Sequence, residues 1–204
     1  LTRLFTTIPS GEPMSSRRLA TLGISADLAV AYVRRGRLER LARGVFCRPG
    51  DALQLGPTLM HLRESLPGLH VGGRAALEWH GLLPRTGSTP LTLYGWDNGH
   101  LPAWFTARFP ATYHRKRLIR EEPAWPQHLV ATTESGLAAV VSAPERAVLE
   151  LLSDVGAGVS LQDARRAAAL AGALHAPTLQ ALLERCTSVK TVRLCVTAGQ
   201  EFAH

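Results

Sequence analysis

Gly36 to Gly50 reads GRLERLARGVFCRPG, and this stretch decides how the N-terminal part of the chain folds. Arg37, Arg40, Arg43 and Arg48 lie inside it, Arg34 and Arg35 run directly into it, and Glu39 is its single acid. Leu38 to Leu41 and Gly44 to Cys47 read as two short strands. They join at Ala42-Arg43-Gly44, where glycine permits the positive φ that a tight hairpin needs. Upstream, Met14 to Leu22 has helical spacing in Leu19 and Leu22, with Ser15 or Ser16 able to cap its start. Gly23 stops that helix. Ser25 caps a second one, Ala26 to Arg35, with Asp27 in its first turn and Arg34 and Arg35 in its last, so both charge signs suit the helix dipole. Gly36 ends it as an αL residue would. Leu28, Ala29, Tyr32 and Val33 form the face that packs on the first helix, while Asp27, Val30, Ala31 and Arg34 point elsewhere. Two short helices around a tight turn, followed by a hairpin, make a winged helix-turn-helix. Leu1 to Thr7 is expected to supply the helix that completes a trihelical core.

The charge is concentrated in the same region. Of a net +7 over 204 residues, positions 1 to 50 carry +6, from nine arginines against Glu12, Asp27 and Glu39, and the remainder carries +1. A basic module beside a near-neutral one is the pattern of a chain that meets nucleic acid or an acidic surface. On the first reading, Ser25, Asp27, Val30 and Arg34 of the second helix enter a major groove. Arg17 and Arg18 then face phosphates, and the wing residues Arg40 and Arg43 reach phosphates or the minor groove. Arginine suits these places because its planar fork makes paired hydrogen bonds to guanine edges or phosphate oxygens. The competing reading is a solvated basic surface used for protein contacts.

Hydrophobic residues make up 46% of the chain and charged ones 19%, enough apolar material for a sizeable core. No window approaches a membrane span of about 18 apolar residues, and LTRLFTTIPSGEP lacks the apolar stretch of a secretory signal. The chain opens on Leu1 rather than Met, so residues preceding it are expected. Cys47, Cys186 and Cys195 are odd in number and without CxxC spacing. They argue for a reducing cytosol and against a zinc finger.

Pro49-Gly50-Asp51 marks a boundary. The expected organisation is a DNA-binding winged helix-turn-helix over 1–50 and a larger mixed α+β domain over 51–204 with a helical C-terminal part. Within the second domain, helices are expected at Pro57 to Leu66 and Arg74 to Trp79, and strands at His70-Val71, Leu91 to Tyr94, Ala111 to His114 and Leu129 to Thr132. Further helices follow over Ala143 to Asp154, opened by Pro144, then Leu161 to Ala171, Thr178 to Cys186, and from Val189.

HVGGRAALEWHG, His70 to Gly81, places two glycines between a strand and a helix. It lacks the lysine and hydroxyl of a Walker motif and the third glycine of a dinucleotide fingerprint, so a sharp turn in a packed core is the favoured reading. His70 and His80 read as structural, because no carboxylate or Cys stands at a coordinating spacing. The run His114, Arg115, Lys116, Arg117, Arg120, Glu121, Glu122 reads as an exposed strand edge, with a second nucleic-acid patch as the lesser option. No Ser-His-Asp, Cys-His or metal constellation can be assembled, so the expectation is a non-enzyme without cofactor or metal.

Taken together, LATLGISADLAVAYVRRGRLERLARGVFCRPGD, HVGGRAALEWHGL, SAPERAVLELLSDV and LLERCTSVKTVRL resemble the AbiEi family of antitoxins from type IV toxin–antitoxin systems, over about Leu1 to Leu194. The resemblance implies a cytoplasmic bacterial regulator, nucleoid-associated when bound, whose winged helix binds inverted repeats in the promoter of its own operon as double-stranded DNA. It implies that the C-terminal domain counters a nucleotidyltransferase-like toxin without a stable complex, and that Ser25, Asp27, Arg34, Arg35, Arg37, Arg40 and Arg43 contact DNA. The alternatives are a protein-interaction module that binds and neutralises the toxin directly, or an orphan DNA-binding regulator. Relatives tend to continue past SVKTVRL, so the expectation at Gln200 to His204 is a tail that is short in this member or trimmed.

Overall fold

The computed structural model describes residues 8–85, 90–120, 129–132, 139–170 and 174–202. The helix expected at Leu1 to Thr7 and the acids Glu121 and Glu122 lie outside the described residues. The fold is mixed α+β, with a winged helix-turn-helix first and a five-stranded sheet with helices after it.

The winged unit comprises β1 (Met14–Ser15), α1 (Ser16–Thr21), α2 (Ala26–Arg34), β2 (Glu39–Ala42) and β3 (Val45–Cys47). The helix expected from Met14 begins two residues later. Met14 and Ser15 are taken into the wing instead, pairing antiparallel with Phe46 and Val45 to give the strand order β1-β3-β2. A strand pairing supplies backbone partners that a helix's first turn lacks, which is why the helix yields these two residues. Ser15 caps α1 by accepting from Arg18 N–H, and Ser25 caps α2 by accepting from Leu28 N–H. Gly23 and Gly36, at φ +76° and +64°, end the two helices in the left-handed conformation that glycine favours.

The wing has two apolar faces. Successive strand residues face opposite ways, so Phe46 joins Ile8, Met14, Leu19, Ile24, Ala29 and Leu38 in the helical core, while Val45 packs on the larger core beyond. A bulge between Arg40 and Ala42 lets Leu41 and Ala42 both reach that second core. Arg108 adds an ion pair to Glu39 at 3.3 Å, and Gln54 N–H donates to Gly11 O. The wing is therefore held from both sides.

The larger core is built on the sheet order β6-β5-β4-β8-β7, from β4 (His70–Val71), β5 (Leu91–Gly95), β6 (Ala111–Arg115), β7 (Leu129–Thr132) and β8 (Ala139–Ser142). β8 is absent from the sequence expectation, yet it joins the two halves of the sheet by pairing parallel to β4 and antiparallel to β7. The helices are α3 (Leu55–Leu62), α4 (Gly73–Trp79), a short α5 (Ala103–Thr106), α6 (Pro144–Ser153), α7 (Leu161–Leu170), α8 (Ala176–Arg185) and α9 (Val189–Phe202). α6 is buried along its whole length, with α4, α7, α8 and α9 packed around it. Pro144 at its first turn costs no hydrogen bond, because that N–H has no helical partner.

The HVGG segment forms the strand-to-helix turn read from its sequence. Gly73 adopts φ +52°, and a Cβ on Gly72 would lie 2.1 Å from Glu150 Oε2 and 2.6 Å from the Tyr94 ring. Gly72→Ala is therefore expected to cost about 3 kcal/mol by overpacking. Gly156→Ala, at φ +82° in open space, is expected to cost about 1 kcal/mol. Urea denaturation of the two variants measures the difference.

Candidate nucleic-acid interface

α2 presents Ser25, Asp27, Val30, Arg34 and Arg35 to solvent. Its buried Ala29 and half-buried Leu28, Tyr32 and Val33 pack on the helical core. Arg17 and Arg18 on α1, and Arg40 and Arg43 on the wing, are also exposed, and Arg37 is half-buried. The winged fold thus brings these residues, scattered over Arg17 to Arg43, onto one small unit.

Their electrostatic state differs. Arg18 pairs with Glu12 at 3.4 Å, and Arg40 Nε donates to Ala42 O at the bulge. Arg17, Arg34, Arg35, Arg37 and Arg43 have no ion-pair partner among the described residues. Glu39, the wing's acid, pairs with Arg108. Over residues 8–50 eight arginines stand against Glu12, Asp27 and Glu39, and that excess raises the local potential that draws an anion. Val30 is 41% exposed between these charges. An apolar side chain in that place can contact a thymine methyl group.

The wing is tied to the helices at its tip. Ser16 N–H donates to Gly44 O at 2.8 Å, and the Ser16 hydroxyl reaches the same carbonyl. Arg43 at the hairpin turn therefore has a fixed backbone relative to α1 and its arginines. The basic run after β6 behaves differently from the expected exposed edge. β6 is an edge strand, but His114 and Lys116 turn inward onto Asp154, while Arg115 bonds Asn98 and Arg117 pairs with Asp97.

The larger core holds a buried polar network that the sequence reading missed. Glu150 Oε1 accepts from His70 Nε2 at 2.8 Å and Arg146 Nε at 2.7 Å. Its Oε2 accepts from the Ser142 hydroxyl and from Gly73 N–H. His70 Nδ1 donates to Gly68 O, since a carbonyl can only accept. His70 is thus structural, as its sequence context indicated, but a carboxylate does reach it, brought from eighty residues away by the fold. Asp154 accepts from His114, Lys116 and the Tyr94 hydroxyl. The available signal was Arg146, Glu150 and Asp154 at four-residue spacing, one face of a helix that otherwise reads as core.

Burial alone would raise the Glu150 carboxyl. The charges of His70 and Arg146, with their hydrogen bonds, overcome it and hold the group at about 2. Asp154 is likewise held below the ordinary carboxylate range, its hydrogen bonds from His114, Lys116 and Tyr94 outweighing burial. Burial, then the neighbouring carboxylates, push the Tyr94 phenol up.

Residues 1–84 match a family described as the AbiEi antitoxin N-terminal domain of a transcriptional regulator. Residues 88–204 match one described as a transcriptional regulator, AbiEi antitoxin, of a type IV toxin–antitoxin system. The chain belongs to the AbiEi antitoxin family. It is also similar to the crystal structure of the RV2827C protein from Mycobacterium tuberculosis at TM-score 0.54 and 18% identity, over 92% of this chain and 72% of that one. That likeness concerns the fold alone. A comparison with curated proteins finds no match. The family is one of transcriptional regulators, and no helix among the described residues is long and apolar enough to cross a membrane.

Two outcomes follow. Glu150 stays ionised in the folded protein down to about pH 2, whereas the unfolded chain takes up its proton near the ordinary value of 4.5. Its contribution is fully present above about pH 4.5 and is lost as pH falls towards 2. Urea midpoints measured from pH 5 to 2 should therefore fall more steeply for the parent than for Glu150→Gln, which starts from a lower plateau. At Ser25, alanine should cost about 1 kcal/mol of stability through the lost cap. Ser25→Asp should keep the cap and stability yet weaken DNA binding in an anisotropy titration by charge repulsion.

Proposed function

We propose that this AbiEi protein is an autorepressor and antitoxin: its winged helix binds inverted repeats in the promoter of its own operon, and its α+β part counters a nucleotidyltransferase-like toxin encoded beside it. The observation that carries the DNA-binding half is the set of exposed arginines on the winged unit, Arg17 and Arg18 on α1, Arg34 and Arg35 at the end of α2, and Arg40 and Arg43 on the wing. α2 enters the major groove through Ser25, Asp27, Val30 and Arg34. Arg35 and Arg37 lie at its end, and Arg17 and Arg18 meet phosphates on one side. Arg40 and Arg43 meet phosphates or the minor groove on the other. Division at about Gly50 assigns DNA contacts to residues 1–50 and antitoxic activity to 51–204.

The packing of the wing on both cores supports this reading, because a contact surface that is already ordered loses little entropy on binding. The toxin is opposed without a stable complex, and DNA is the partner held tightly. The rival reading, direct docking of a toxin on the basic face, predicts a stoichiometric complex that the wing arginines control.

Contacts to about six phosphates should lower affinity on the order of a thousandfold between 50 and 200 mM salt. Arg40→Ala/Arg43→Ala should weaken binding to the upstream DNA and reduce the steepness of log K against log salt by about 1.8, two contacts' worth. Fluorescence anisotropy against a scrambled duplex measures both. Equal, weak binding to both duplexes and an unchanged slope in the variant would overturn the proposal.

A further inference from the structure

The larger domain contains a cavity of about 330 Å³ that the DNA-binding reading does not use. Its floor is set by the parallel pairing of β5 and β6, which places Thr92 opposite Thr112 and Tyr94 opposite His114. These four alternate positions share one sheet face, turned towards α6 and the loop after it. Pro90, Leu151, Ala157 and Val159 supply apolar walls, and Arg74 and Asp163 complete the lining.

The chemistry of the floor is fixed by the network beneath it. Asp154 is only 2% exposed in its side chain and is already supplied with donors by Tyr94, His114 and Lys116, so it orients His114 rather than meeting an occupant itself. Nδ1 donates to Asp154, a carboxylate that can only accept, so an imidazole holding a single proton presents Nε2 to the cavity as an acceptor. The two threonine hydroxyls can each donate or accept. Apolar walls around a polar floor of three hydrogen-bonding side chains fit a flat heterocycle with donors and acceptors along its edge. The size lies within the range of small-molecule sites. Arg74 Nε is paired with Glu78 at 2.8 Å, which leaves the terminal guanidinium nitrogens to meet a phosphate, and Asp163, which accepts from the Ser160 hydroxyl through Oδ2, keeps Oδ1 for sugar hydroxyls.

We propose that this cavity is a binding site for a nucleoside 5′-monophosphate, its base against Thr92, Thr112 and His114 and its phosphate towards Arg74. The site is separate from the DNA surface, so it stands or falls independently of the wing.

Thermal denaturation of the full chain with AMP, GMP, CMP and UMP tests it. At least one should raise Tm by about 5 °C at a hundredfold excess over its Kd. Ala157→Trp alters an exposed residue at the cavity and should abolish the rise without lowering the Tm of the free protein. His114→Asn keeps a donor for Asp154 but removes the Nε2 acceptor and should weaken binding at least tenfold by calorimetry. Arg74→Gln should weaken it by a similar factor. No rise with any of the four, or a rise that persists in Ala157→Trp, would overturn the proposal.

Discussion

Glu150 is buried on the central helix, and its carboxylate is the point at which four separate parts of the larger domain meet. His70 comes from β4, Gly73 from the start of α4, Ser142 from the end of β8 and Arg146 from one turn earlier on α6. A buried carboxylate is tolerable only when its partners are complete, and removing one partner of such a pair costs about 3–5 kcal/mol. The requirement reaches into the sequence. Gly72 has no side chain because Glu150 and Tyr94 occupy the space one would need. The parallel pairing of β4 with β8 is fixed by the same contacts, since His70 and Ser142 must both face the helix.

The platform so built determines what the winged unit can do. Leu41, Ala42 and Val45 rest on the larger core while Phe46 belongs to the helical one, so the hairpin cannot move independently of either. Its arginines project from that fixed frame. Charge and order are thus supplied by different residues: apolar side chains hold the wing, and the exposed arginines remain available for an anionic partner. A chain built this way holds its exposed arginines on backbone that is already ordered.

Much of the winged unit was legible because its signals are local. Ser25 as a cap, Gly23 and Gly36 as stops, and a glycine-bearing hairpin are each decided within a few residues, and the structure contains them all. Ser15 caps the first helix as one of the two serines expected to do so, but Met14 was misread as helix because its role is set by pairing with Phe46, more than thirty residues on. β8 was missed for a related reason. AVVS is too short to show alternation, and it runs directly into a strong helix start at Pro144. The polar network was least legible, since no spacing in the sequence announces that His70 will meet Glu150. The basic run from His114 to Arg117 looked like one patch, yet alternation along the chain sends His114 and Lys116 to Asp154 and leaves Arg115 and Arg117 on carbonyl and carboxylate partners outside.

Amide chemical-shift mapping during titration with a duplex from upstream of its own gene tests most directly whether DNA meets the winged unit. Perturbations should cluster in Ser15 to Arg18, Ser25 to Arg37 and Arg40 to Gly44, and should shrink with rising salt. Perturbations centred on Arg115 to Arg120, or none beyond those given by a scrambled duplex, would contradict it.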